Sequence, residues 1–88
     1  MEENLRNNNI IIESRKKFTL SGIKDVVAFD EETVVLNSTQ GRLVIKGIGL
    51  HINSFEAETG DLIGEGKINA VVYTVEDNGG GFFSRLFK

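Results

Sequence analysis

An 88-residue chain has room for one small domain, and with no cysteine neither a disulfide nor a thiolate zinc site can staple it. A formal charge of −3 and a pI near 5.1 argue against a general nucleic-acid binder, which needs a dominant basic face to displace counterions from phosphates. A domain this small folds alone only marginally, so association with a second copy is the leading remaining source of stability.

Residues 1–9 are polar and end in three asparagines, which predicts a disordered N-terminal arm. The only early apolar run, Ile10-Ile11-Ile12, is too short for the core of a signal peptide. No stretch approaches the roughly 18 apolar residues of a membrane span, and a cytoplasmic location is expected.

From Ile10 onward the pattern has period two, with turn signals between short runs. Phe18 and Leu20 alternate with Lys17, Thr19 and Ser21, and Gly22 ends the run. Lys24 to Phe29 gives the next, closed by Asp30-Glu31-Glu32. The clearest unit is a hairpin. Val34 and Leu36 alternate with Val35 and Asn37, Ser38-Thr39-Gln40-Gly41 turns the chain, and Leu43 and Ile45 alternate with Arg42, Val44 and Lys46. Gly41 suits the left-handed position of a tight hairpin loop, having no Cβ to clash there. Beyond Gly47-Ile48-Gly49, Leu50 and Ile52 start a further run, and Glu58-Thr59-Gly60-Asp61 turns again. Gly64-Glu65-Gly66 predicts a bulge or sharp bend before a last strand from Ile68 to Val75. The expected fold is all-β over residues 10–77: a small antiparallel β-meander or partly open barrel of six or seven short strands.

Both phases of the strands carry apolar residues. If Val34, Leu36, Leu43 and Ile45 face the core, Val35 and Val44 face away, and in the last strand Val71, Tyr73 and Val75 oppose Ile68, Ala70 and Val72. Either the sheet curls on itself and buries both sets, or its second face meets another protomer. Val35, Val44, Val71, Tyr73 and Val75 are therefore the candidate dimer face, in an expected homodimer.

Catalytic patterns are not found. Asp30-Glu31-Glu32 lacks the spacing of a calcium loop, and it reads as a solvated turn, as do Glu56, Glu58 and Asp61 around Gly60. His51, the one histidine, has no thiolate partners for zinc, and no Gly-x-Ser-x-Gly elbow frames any serine. Gly47-x-Gly49 fails the dinucleotide fingerprint because Ile52 stands where the third glycine belongs. No cofactor or metal is expected, and the chain is read as a non-enzyme. The one basic run, Arg15-Lys16-Lys17, is read as a solvated strand end, with contact to an anionic surface as the alternative.

The C-terminal end is different. Residues 78–81, Asn78-Gly79-Gly80-Gly81, predict a flexible hinge, and residues 82–88 an amphipathic tail. In a helix Phe82, Phe83, Leu86 and Phe87 would share one face, with Arg85 and Lys88 opposite. Seven residues hold no helix in water, so the tail orders only on docking: on its own domain or a dimer mate, or on a membrane surface or partner groove.

Several segments, in order, resemble the YabP/YqfC family of sporulation proteins. They are Arg15-Lys16-Lys17-Phe18-Thr19-Leu20-Ser21-Gly22, Phe29-Asp30-Glu31 before Val34-Val35-Leu36, Gly41-x-Leu43-x-Ile45-x-Gly47, Leu50-His51-Ile52, and Gly60-x-Leu62 leading through Gly66 to Ile68. The closing Phe82-Phe83-Ser84-Arg85-Leu86-Phe87-Lys88 is similar to the tail of the YabP branch. The resemblance implies a protein of spore-forming bacteria acting in the mother cell during late coat and cortex assembly, and it implies no catalytic residues. The expected function is an assembly or adaptor module with a dimerising β-domain. Its tail residues Phe82, Phe83, Arg85, Leu86, Phe87 and Lys88 would dock on a membrane surface, such as the forespore outer membrane, or on an envelope protein. The alternative is a β-barrel binding a small ligand or glycan, which would need polar or aromatic groups in its interior.

Overall fold

The computed structural model describes residues 7–74. The alternating runs form six strands: β1 (Asn9–Glu13), β2 (Lys17–Ser21), β3 (Ile23–Phe29), β4 (Thr33–Ser38), β5 (Gly41–Glu56) and β6 (Asp61–Thr74). They make one open antiparallel sheet in the order β1-β2-β6-β5-β4-β3, with β1 and β3 at its edges.

From β3 to β6 the sheet is a meander, but β2 pairs with β6 rather than with β3, from Lys17 opposite Glu65 to Leu20 opposite Leu62. The chain leaves β2 at Gly22, in the left-handed region at φ +73°, and crosses to the far edge. Two backbone hydrogen bonds pin the crossing: Thr39 N–H donates to Gly22 O (2.9 Å) and Ile23 N–H to Gly60 O (3.0 Å).

The glycine pairs do not interrupt β5 and β6; these strands run through them for 16 and 14 residues. What the glycines supply is close approach. A Cβ on Gly47 would lie 2.0 Å from the carbonyl oxygen of Lys67, and one on Gly66, at φ +132°, 2.6 Å from Leu50 Cα. Only a residue without a Cβ lets the two backbones meet there. Register shifts between Lys46 and Gly47, Ile48 and His51, and Ile52 and Ser54 add to the bend.

One core results. Phe18, Leu20, Leu50 and Leu62 from one end of the sheet pack with Val34, Leu36, Leu43 and Ile45 from the other, joined by Ile23 and Ile68. Val34, Leu36, Leu43 and Ile45 are completely buried, as their alternation predicts. Burying each such side chain contributes about 1.5–3 kcal/mol. The interior is thus filled by aliphatic side chains and Phe18, not lined by the polar groups that a ligand barrel requires.

The last strand departs from simple alternation. Ala70 pairs with Lys46, but Ile68 pairs with the next residue, Gly47, so Asn69 is an extra residue in β6. This bulge reverses the phase: Ile68 lies on the same face as Val71 and Tyr73, opposite Gly47, Ile45 and Leu43 respectively. The expected grouping of Ile68 with Ala70 and Val72 is corrected accordingly.

Candidate interaction surfaces

The bulge divides the expected dimer face. Val35, Val44 and Val72 lie side by side across β4, β5 and β6 on the outer face, whereas Val71 and Tyr73 pair with Ile45 and Leu43 on the core face. Val44 is completely buried within the single chain, standing between Val35 and Val72 with Arg42 and Lys46 two residues to either side. Arg42 is itself tied across the hairpin, its Nε donating to Asn37 Oδ1 (3.0 Å). Val35, Val44, Val71 and Tyr73 therefore form no common surface, because an alternation carried across a bulge assigns side chains to the wrong face. Val75, and the tail residues Phe82, Phe83, Arg85, Leu86, Phe87 and Lys88, lie outside the described residues, as does the glycine hinge.

Of the six exposed large apolar residues among those described, four lie on the edge strands, while Ile48 and Tyr73 lie on β5 and β6. On β1, Ile11 is 52% and Ile12 36% exposed; on β3, Val27 is 45% and Phe29 58% exposed. An edge strand already presents unpaired backbone groups, and large apolar side chains beside them favour pairing with another chain. Ile10-Ile11-Ile12, too short for a signal-peptide core, opens the β-domain as the sequence pattern predicts, and it forms the edge strand β1. Beside Phe29 lies a groove of about 400 Å³ formed by Ala28, Asp30, Thr33, Val35 and Lys46.

The start of β1 is tied down. Asn8 Nδ2 donates to Ser21 O (2.7 Å), the Ser21 hydroxyl donates to Asn7 O (2.6 Å), and Asn9 N–H donates to the same hydroxyl (3.1 Å). The Tyr73 hydroxyl bonds Asn8 Oδ1, linking this edge to the far end of β6. The last three residues of the expected arm are thus part of the folded domain.

The charged groups serve as structure. Asp30 Oδ1 accepts from the N–H groups of Glu32 (2.8 Å) and Thr33 (2.9 Å), a side-chain-capped turn. The carbonyls of Glu31 and Glu32 accept from Leu50 and Gly47 N–H, bracing the bend of β5. Arg15 sits in the β1–β2 turn at φ +56°, where its Nε donates to Ile68 O (3.0 Å) and a terminal nitrogen to Asn69 Oδ1 (2.9 Å). Its guanidinium holds the β6 bulge. His51 Nε2 lies 4.0 Å from Glu65 Oε1, with both side chains exposed. Among the described residues no three His, Asp or Glu side chains converge as a metal site would require, and no helix is long and apolar enough to cross a membrane.

A sequence model described as the YabP family matches residues 4–80. The chain belongs to the YabP family. It is 34% identical over 83 residues to the protein named Spore protein YabP of Bacillus subtilis (strain 168), a match covering 91% of this chain and 83% of that protein. Membership gives this YabP-family chain a sporulation-related role, in a family that is not a known enzyme family. All of the described sheet falls inside the matched span, while residues 82–88 lie beyond the family match.

Proposed function

We propose that this YabP-family chain is a non-enzymatic assembly or adaptor module of spore-envelope formation, acting on the cytoplasmic side of the mother cell during coat and cortex assembly. The observation that carries the reading is the placing of exposed Ile11, Ile12, Val27 and Phe29 on the two open edges of a sheet whose interior is already filled. A small β-domain built this way offers its surface to other chains rather than a cavity to a ligand. Its likeness to a protein named Spore protein YabP supports the setting.

The domain works as a homodimer. Its tail, through Phe82, Phe83, Leu86 and Phe87 with Arg85 and Lys88, docks on the outer forespore membrane or on an envelope protein at that surface. Ordering a short tail costs about 1–2 kcal/mol per residue, so one tail binds weakly, and two on a dimer bind with greater avidity.

The test is to follow a labelled full chain in sporulating cells, beside a version lacking residues 82–88. The full chain is expected to collect around the developing spore, while the shortened chain keeps its melting curve and stays diffuse. A full chain that remains diffuse throughout sporulation contradicts the reading.

A further inference from the structure

The two edges of the sheet are built differently. β3 shifts register against β4 twice, between Ile23 and Asp25 and between Val26 and Ala28, and it carries Lys24 and Asp25. Bulges and charges are the devices by which an edge strand refuses a new neighbour. β1 has neither in its interior. Its five residues, Asn9-Ile10-Ile11-Ile12-Glu13, pair with β2 in unbroken register.

The outward side of β1 is also equipped to pair. Asn9 N–H points to Ser21 on β2, and Glu13 O accepts from Lys16 N–H at the turn into β2. Backbone groups alternate along a strand, so Asn9, Ile11 and Glu13 face β2 while Ile10 and Ile12 turn their N–H and C=O groups to the open edge.

From this, and resting on the homodimer of the reading above, we infer that β1 is the self-association edge: two copies pair β1 with β1, antiparallel and centred on Ile11. In that register Ile11 meets Ile11 of the second copy, Ile10 meets Ile12, and Asn9 meets Glu13. The outward groups of Ile10 and Ile12 then lie opposite one another and supply the bonded pairs, related by a two-fold axis. No like charges meet, since Glu13 faces Asn9. Ile10 already packs against the core, and Ile12 shares its face, so the Ile10–Ile12 pairs continue the apolar layer across the junction. Five residues bury little area, and the dimer is accordingly reversible.

The chain has no cysteine, so Ile11→Cys introduces a single thiol. Directly opposed, non-bonded residues of antiparallel strands lie about 4.5 Å apart at Cα, within reach of a disulfide. Mild oxidation of the full-length Ile11→Cys chain is expected to give a covalent dimer, while Val27→Cys, on the other edge, stays monomeric. By light scattering, Ile11→Lys and Ile11→Glu are each expected to run as monomers and to recover the dimer mass when mixed. Cross-linking through Val27→Cys in place of Ile11→Cys, or an Ile11→Lys chain that keeps a dimer mass, overturns the assignment. Either outcome leaves recruitment to the spore envelope standing. Loss of recruitment with the Ile11→Cys cross-link intact sinks only the functional reading.

Discussion

Phe18 occupies the space where a side chain on Gly64 would stand. The two residues are direct cross-strand partners of β2 and β6, and a Cβ on Gly64 would lie 2.2 Å from Phe18 Cζ and 2.7 Å from the carbonyl oxygen of His51. Gly64→Ala is therefore expected to destabilise the domain by about 1–3 kcal/mol, through overpacking against a fully buried ring. The same substitution in a Phe18→Leu background should cost less, because the ring edge is gone. A double-mutant cycle by thermal melting reads the coupling directly. Equal costs in both backgrounds would mean that the ring is not the obstacle.

The core makes a second prediction. Leu43→Ala or Ile45→Ala removes a completely buried side chain and should cost about 2–5 kcal/mol, a large share of the stability of so small a domain. Phe29→Ala, on the exposed edge, should stay within about 0.5 kcal/mol of the parent despite the larger side chain removed. Urea denaturation of the three variants checks the ordering.

How far these features could be read from residues alone depends on distance along the chain. The β4–β5 hairpin and its core phase follow from local alternation and the Ser38–Gly41 turn, and the structure buries Val34, Leu36, Leu43 and Ile45 as that reading requires. The pairing of β2 with β6 was not legible, because nothing local in Phe18 or Leu20 names a partner more than 40 positions away. The bulge expected at Gly64-Glu65-Gly66 is present, as a register shift between Ile48 and His51, but the continuity of β5 and β6 through the glycine pairs is not legible, since it depends on a second backbone crossing close by. Simple alternation puts Val71 and Tyr73 opposite Ile68, whereas the Asn69 bulge, which leaves no mark in composition, brings them to the same face, because one extra residue reverses every side chain after it.

Arg15 tests that bulge. Its guanidinium serves two acceptors, Ile68 O and Asn69 Oδ1, through different nitrogens. Arg15→Lys keeps the charge but has a single nitrogen to offer, so it should lose most of what Arg15→Ala loses, about 1 kcal/mol. Chemical denaturation is the measurement. Full rescue by lysine would assign the effect to charge alone.

Tyr73 is the chain's one tyrosine, and burial raises its phenol above the ordinary value. The folded protein therefore favours the neutral form more than the unfolded chain does. Its contribution to stability is complete below the unfolded value of about 10 and is lost as pH rises through the higher folded value. Ultraviolet titration of phenolate absorbance should give a higher midpoint in the native chain than in denaturant. Tyr73→Phe should remove this part of the alkaline fall in melting temperature. A native midpoint at or below the denatured one would contradict the placing of the ring.

The central claim is that an open sheet completes itself with a second copy, and the most direct measurement is the solution mass of the full-length chain by light scattering across a concentration series. The account predicts a mass that rises with concentration from 9.7 kDa toward twice that value, accompanied by a rising melting temperature. A mass that stays at 9.7 kDa up to high micromolar concentration, with a melting temperature that does not move, would contradict it.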